Sequence, residues 1–345
     1  MQRLGILFGG RSGEHEVSLM SATSVIKAMD KSRFQIVMIG ISKSGEWLRY
    51  DGPIEHIENG EWEKQARHFE VGSLKQEVDI VLPILHGPYG EDGTIQGLFE
   101  MLDIPYCGCG VLASAVAMDK MISKELFVQA GLPVCKYTLV FSEKLEDQGD
   151  MLEEIQRIEA CVPYPMFVKP SNMGSSVGVT KAKTREGLEE ALRIARKYDR
   201  RIVVEEGIDC RELEAGVVGN FEAEVSVIGE ILPSAEFYDY KAKYFDGGKS
   251  KMCIPAEISE ELSEKIRELA LHAYEIIDGS GFARIDFFQD RKNGKIYINE
   301  INTIPGFTRF SMFPSLWGQA GVLYMELIER IVELGYERYN AKNNR

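Results

Sequence analysis

FARIDFF at 282–288, QDRKNG at 289–294 and KIYINEIN at 295–302 read as two strands joined by a turn. Side chains two apart on a strand share a face. Arg284 and Asp286 therefore point one way, as do Glu300 and Asn302. An antiparallel hairpin sets residue 286 roughly opposite residue 300, so that two carboxylates, a carboxamide and a guanidinium share one face. Ile285, Phe287, Ile298 and Ile301 supply apolar contacts. Oxygen donors of this kind suit Mg²⁺ or Mn²⁺, which keep several waters and bind substrate phosphates through one or two carboxylates. A solvated hairpin face carrying an Arg–Asp pair fits the same residues.

Outward from the hairpin, a loop TIPGFTRFSMFP and a final amphipathic helix follow. Upstream lies a long helix with apolar positions 262, 266, 269, 270, 273 and 277. Before it, LEAGVVG and EAEVSVIGEIL read as strands, separated from the helix by the polar loop EFYDYKAKYFDGGKSKM. A unit beginning near Met118-Asp119-Lys120 carries a helix through SKELFVQAG, capped by Gly131 with Pro133 beyond it. Strands KYTLVF, PMFVKP and RIVVEEGI follow, with an acidic helix at 143–157 and an amphipathic helix EGLEEALRIARKY between them. In the first ~115 residues the strands LGILF, FQIVMIGIS and EVDIVLPIL alternate with helical pattern, and IPYCG is short and extended. That alternation predicts an open, mostly parallel α/β sheet, with the polar residues 51–77 as an excursion from it.

At 345 residues, the chain has the length of two or three domains. Charged residues at 27% and hydrophobic ones at 44% are those of a globular protein, not of a disordered or collagen-like chain. A net charge of −14 opposes general binding to nucleic acid or an anionic membrane surface. No apolar run approaches the ~18–20 residues of a membrane span, and MQRLGILFGG reads as a first strand rather than a leader. Six cysteines without a C-x-x-C pair, and no H-E-x-x-H, argue for reduced thiols in a cytosolic protein and against a zinc site.

Three further segments carry chemistry. The loop Gly174-Ser175-Ser176-Val177-Gly178 follows a strand ending in Lys169-Pro170. Its backbone N–H groups can surround phosphate oxygens while a lysine adds a point charge. No G-x-x-x-x-G-K-[ST] occurs, and this loop precedes a strand, so it reads as a flap or as a plain hairpin turn. Gly9-Gly10-Arg11-Ser12-Gly13 follows the first strand and opens a helix without matching G-x-G-x-x-G. A helix N-terminus holds anions, whereas Glu14 and Glu16 beside it favour an ammonium; a zwitterionic amino acid satisfies both. The two acids equally complement the helix dipole. His86-Gly87-Pro88-Tyr89-Gly90-Glu91-Asp92-Gly93 lies at the end of the third strand, where ligands bind in open α/β sheets.

Taken in order, EHEVS at 14–18, HGPYGEDGTIQG, MDK at 118–120, VKPSNMGSSVG, EFYDYKAKY, FARIDFF and INEINTIPGFT resemble the D-alanine–D-alanine ligase family of the ATP-grasp superfamily, from Leu4 to about Leu334. The resemblance implies an α/β and α+β, three-domain ATP-grasp fold: an N-terminal open parallel α/β domain at 1–118, a central subdomain with the Gly/Ser loop at 119–207, and a C-terminal domain with metal site and lid loop at 208–345. It implies ATP as co-substrate and two Mg²⁺ or Mn²⁺ ions on Asp286, Glu300 and Asn302. Lys120, Lys169 and Ser176 would meet ATP phosphates; Glu205, Glu206 and Ile208 would line the adenine site, and Glu212 would contact the ribose. Glu16 would anchor the ammonium of a first D-alanine and link to Ser175 and Tyr244. Arg284 and the Gly306 N–H would stabilise an oxyanion. His86, Lys243, Ser311 and Met312 would serve the substrates, the last three at the second D-alanine's carboxylate. Loop 236–253 and the Gly/Ser loop would act as lids. A cytoplasmic enzyme of peptidoglycan synthesis, often a homodimer, is implied. The sequence departs from its relatives at Glu206, often Lys there, which leaves the adenine contact to the backbone, and carries Arg211 beside Glu212 and Met at 312. A D-Ala–D-Ser or D-Ala–D-lactate ligase is the alternative, the lactate type disfavoured by Tyr244. Other ATP-grasp ligases, which share the Gly loop and metal acids, would not be expected to carry EHEVS together with YDYKAKY, and an inactive nucleotide-binding module fits less well because every metal acid and phosphate lysine is present.

Overall fold

The computed structural model describes residues 1–232 and 251–343. Strands β1 (Gln2–Gly9), β2 (Phe34–Ile41), β3 (Trp47–Tyr50), β4 (Arg67–His68) and β5 (Ile80–Ile84) form one sheet in the order β4-β3-β2-β1-β5. β1 runs parallel to both β2 and β5, as the strand–helix alternation predicts. β3 and β4 add an antiparallel edge that the sequence pattern does not announce. The excursion at 51–77 contains short helical turns and is anchored by Trp62, fully buried with its ring 5.0 Å from Phe8. Gly40 makes room for that ring: a Cβ there would meet it at 2.2 Å.

β6 (Tyr137–Phe141), β7 (Met166–Pro170), β8 (Thr180–Ala182) and β9 (Arg201–Glu206) form an antiparallel sheet in the order β6-β9-β7-β8. Helices Gln148–Cys161 and Arg185–Ala195 pack on it around Ile155, Ile158, Leu188 and Leu192. Each starts where a side chain satisfies an otherwise unpaired N–H: Asp147 accepts from Gly149, and Thr184 accepts from Gly187.

β10 (Cys210–Val218), β11 (Glu224–Leu232), β12 (Lys251–Cys253), β13 (Phe282–Asp290) and β14 (Ile296–Asn302) make the third sheet, antiparallel, in the order β12-β11-β10-β13-β14. The helix Glu260–Ile276 covers it with Ile266, Ala270, Ala273 and Tyr274, on the stripe the apolar spacing predicts. Of the expected lid at 236–253, residues 251–253 belong to β12 and the remainder lies outside the described residues.

Helices Thr94–Met101 and Val111–Met118 were not expected, and the loop read at TIPGFTRFSMFP already begins a further helix at Met312–Gln319. The first two are each only eight residues long, and the second is apolar on nearly every side, which hides its period. Val111–Met118 packs against the third sheet's core through Ala113, Val116 and Ala117. The last helix, Tyr324–Asn343, turns back onto the first sheet, where Leu327, Ile328, Ile331 and Val332 join Leu4, Ile6 and Phe8. Phe307 packs between the third sheet and the last helix, 5.8 Å from Phe282 and 5.9 Å from Tyr324 between ring centres. Among the described residues no helix is long and apolar enough to cross a membrane.

Candidate active site

A cleft of about 420 Å³ opens where elements of all three sheets converge. Its wall includes Glu14 and His86 from the first sheet's loops, Lys120, Lys169, Ser175 and Ser176 from the middle, and Glu212, Arg284, Asp286, Glu300, Asn302, Gly306, Ser311 and Met312 from the third sheet and the loop after it.

The β13–β14 hairpin has the register read from the sequence: Asp286 faces Glu300 and Arg284 faces Asn302, with a bulge just after Asp286. Arg284 grips Asp286 through two bonds, Nε to Oδ1 at 2.7 Å and Nη2 to Oδ2 at 2.8 Å. Asn302 donates to Asp286 Oδ2 at 3.0 Å. A third carboxylate, missed in the sequence, joins them: Glu214 on β10 faces Asp286 and lies 2.8 Å from Arg284 Nε. The alternation Glu212-Leu213-Glu214 was the available signal, because it sets both acids on one face.

Lys120 opens the helix Lys120–Gln129. Its Nζ donates to the Met173 carbonyl at 2.7 Å and lies 3.5 Å from Glu300. Asp119, buried, is the hub that holds it there. It caps the helix by accepting from the N–H groups of Met121 and Ile122, both at 3.1 Å. It also accepts from Ser171 Oγ at 2.8 Å and Asn172 Nδ2 at 2.9 Å, and pairs with Arg201. One carboxylate thus ties a cleft lysine to the start of the Gly/Ser loop.

Within that loop Ser175 and Ser176 have φ of +48° and +60°, left-handed values that cost a non-glycine residue free energy. Ser175 Oγ donates to Glu14 Oε1 and so pins the loop across the cleft. Here the structure corrects the sequence expectation: the partner of Ser175 is Glu14, not Glu16. The helix His15–Ala28 begins one residue after Glu14, which keeps the Glu14 side chain on the cleft side. Glu16 lies two residues on, about 200° around the axis, and is half exposed in an ion pair with Lys43. Gly87 and Gly174 flank the Glu14 carboxylate so closely that a Cβ on either would meet Oε2, at 2.5 and 2.8 Å.

His86 is buried. Its Nδ1 donates to the Ile304 carbonyl at 2.9 Å, and its Nε2 lies 3.2 Å from Ser21 Oγ. Burial alone would lower the imidazole pKa, but the nearby carboxylates of Glu91 and Glu14 hold it above the ordinary value. Glu91, 3.8 Å from His86 Nδ1, is pushed upward by its own burial. It is a second cleft acid that sequence reasoning passed over within HGPYGEDG.

Lys169 reaches the cleft from the end of β7 and donates to Glu205 Oε2 at 2.7 Å. Glu205 itself is buried, 3% exposed, and neither it nor Glu206 or Ile208, both partly exposed, is among the residues lining the cleft. Ser311 precedes the helix Met312–Gln319; its Oγ accepts from the Thr308 N–H at 3.0 Å. Met312 is buried against β11, where a Cβ on Gly229 would meet its sulfur at 2.7 Å. Lys243 and Tyr244 lie outside the described residues.

Known proteins resemble the chain over nearly its whole length. Residues 3–109 match the family described as D-ala D-ala ligase N-terminus, and residues 126–333 that described as D-ala D-ala ligase C-terminus. A D-alanine--D-alanine ligase of Thermoanaerobacter sp. (strain X514) is 49% identical, over 99% of this chain and 98% of the relative. The crystal structure of VanG D-Ala:D-Ser ligase from Enterococcus faecalis superposes with a TM-score of 0.87 at 36% identity, covering 97% of this chain and 99% of that one. The D-alanine-D-alanine ligase from Coxiella burnetii gives 0.85 at 31% identity, covering 99% and 96%. The three-sheet architecture is accordingly the mixed α/β ATP-grasp fold, and the chain belongs to the D-alanine–D-alanine ligase family.

Proposed function

We propose that the protein is an ATP-dependent ligase that joins two D-alanines into D-alanyl-D-alanine for peptidoglycan synthesis. The observation that carries this reading is the convergence, in one cleft, of two lysines, the facing acids Asp286 and Glu300, and the Ser175–Glu14 latch. In this reading the carboxylate of the first D-alanine attacks the γ-phosphorus of ATP and ADP leaves. The amine of the second D-alanine then attacks the acyl phosphate carbonyl, loses a proton, and phosphate departs with the bridging oxygen.

Each step sets a demand that residues of the cleft can meet. The first brings two anions together, and Lys120 and Lys169 supply fixed positive charge against that repulsion. Asp286, Glu300 and Asn302 fit one or two divalent cations: they are hard oxygen donors, and in the described structure they already draw the cationic heads of Arg284 and Lys120. Such ions would neutralise charge on the phosphate oxygens. Among the described residues no three His, Cys, Asp or Glu side chains are grouped as a metal site.

Glu14 takes the role expected of Glu16, holding the first ammonium. Its position between Gly87, Gly174 and Ser175 supports this. His86 and Glu91 sit close behind it. Arg284 and the Gly306 N–H would meet the oxyanion, where losing one donor typically costs ~10²–10³ in rate. Ser311, Met312 and Lys243 would receive the second carboxylate. Ser176 would cover the phosphates, Glu212 the ribose, and the segment 205–208 the adenine. Tyr244 would close the lid and keep water from the acyl phosphate. We also propose the domain division at 118/119 and 207/208, a cytoplasmic location and a homodimer.

The likeness to a D-Ala:D-Ser ligase makes D-serine the rival second substrate. Phosphate release measured side by side with D-alanine alone, and with D-serine or D-lactate added, tests the choice. Faster release with either additive than with D-alanine alone refutes it.

A further inference from the structure

Lys124 takes no part in the reading above, yet it is among the largest fully buried side chains. It lies one helical turn after Lys120, on the same face of the helix Lys120–Gln129. Its side chain is 1% exposed and does not line the cleft. Its Nζ is 3.2 Å from Glu205 Oε1 and 3.4 Å from the Asn299 carbonyl. The other oxygen of the same carboxylate, Oε2, takes Lys169 at 2.7 Å. One buried carboxylate therefore serves two ammonium groups, and of the three only Lys169 faces the cleft.

The charges decide what this does. Glu205 with Lys169 alone is a neutral pair, and a buried neutral pair attracts an incoming anion weakly. With Lys124 added, the buried group carries one surplus positive charge, and its outlet to solvent is Lys169. Lys124 also divides the pull of Glu205, so that Lys169 is less firmly retained by its own counter-ion. In a site this dry, such competition is strong because little water screens it.

We infer that Lys124 is a positioning residue for nucleotide phosphate: by occupying one oxygen of Glu205 it leaves the Lys169 ammonium available to a phosphoryl group in the cleft. This rests on the reading that Lys169 meets ATP phosphate. Glu205 is accordingly a counter-charge shared by two lysines as well as the first residue of the proposed adenine segment.

Titration calorimetry with ADP–magnesium and, separately, adenosine tests the inference. Lys124→Met is one atom shorter but keeps an unbranched apolar stem and removes the charge. ADP affinity should fall about tenfold, the scale of one charge-assisted hydrogen bond, while adenosine affinity stays within about twofold. A merely structural lysine would weaken both ligands together, and that result, or unchanged ADP binding, overturns the inference. Lys124→Met with Glu205→Gln restores charge balance and guards against poor folding of the single variant. In it the ADP-to-adenosine ratio should recover, and a ratio that stays depressed overturns the charge argument. Lys169→Met distinguishes the underlying reading. If it leaves the ratio unchanged, Lys169 does not meet phosphate, and the role of Lys124 falls with it. If it lowers the ratio while Lys124→Met does not, only the inference fails.

Discussion

Neutralising Glu205 should remove a measurable part of the protein's acid sensitivity. The carboxylate is buried, which by itself would raise its pKa, but Lys124 and Lys169 outweigh burial and bring it down to about 2 from an ordinary 4.5. A depressed carboxylate contributes stability above its unfolded pKa and loses it as pH falls through the folded value. The difference corresponds to about 3 kcal/mol at neutral pH, at 1.36 kcal/mol per unit. Roughly 1 kcal/mol of that is lost by pH 3.5. Glu205→Gln keeps both ammoniums and cannot titrate. It should be less stable than the parent at pH 6, because two buried cations lose their counter-charge. The gap should then narrow by roughly 1–2 kcal/mol at pH 3.5. Urea unfolding of both proteins at the two pH values measures it. A gap that stays constant, or widens in acid, refutes the assignment of an ionised carboxylate between two lysines.

Other substitutions probe the cleft. Glu300→Gln should abolish Mg²⁺-dependent turnover with circular dichroism unchanged; activity within about tenfold of the parent contradicts the metal role. Ser175→Ala removes the bond to Glu14 and should raise the KM for the first D-alanine about tenfold, with a melting temperature close to the parent's; steady-state kinetics at saturating ATP reads it. Asp119→Ala unties Lys120 from the Gly/Ser loop and strips a helix cap, so it should lower thermal stability and weaken ADP binding together, by about 1–3 kcal/mol for the buried network. Stability loss with full ADP affinity would show that the hub does not set the position of Lys120.

The parts of this architecture that were legible in the sequence are those ruled by local period. Strand alternation together with an antiparallel turn at QDRKNG set Asp286 roughly opposite Glu300, and the β13–β14 register has that pairing. Helical spacing identified the face of Glu260–Ile276 that packs on the third sheet. Non-local geometry was not legible. Glu214 faces Asp286 only because β10 lies next to β13, a neighbour more than sixty residues away in the chain. Glu14 and Glu16 sit two residues apart at a loop-to-helix junction, and the residue where the helix begins decides which of them meets Ser175. Lys124 looks like an ordinary helix-surface lysine until the sheet that carries Glu205 closes over it. The hub at Asp119 shows in sequence only as part of Met118-Asp119-Lys120 ahead of a helix, whereas its bonds to Ser171 and Asn172 span fifty residues or more.

The central claim is that the cleft passes the terminal phosphoryl group of ATP to the carboxylate of D-alanine. D-Alanine labelled with ¹⁸O in its carboxylate, turned over with unlabelled ATP, follows that transfer through mass analysis of the released phosphate. One ¹⁸O atom should appear in each phosphate formed, in step with each dipeptide. Phosphate free of label, with dipeptide still produced, would contradict the claim.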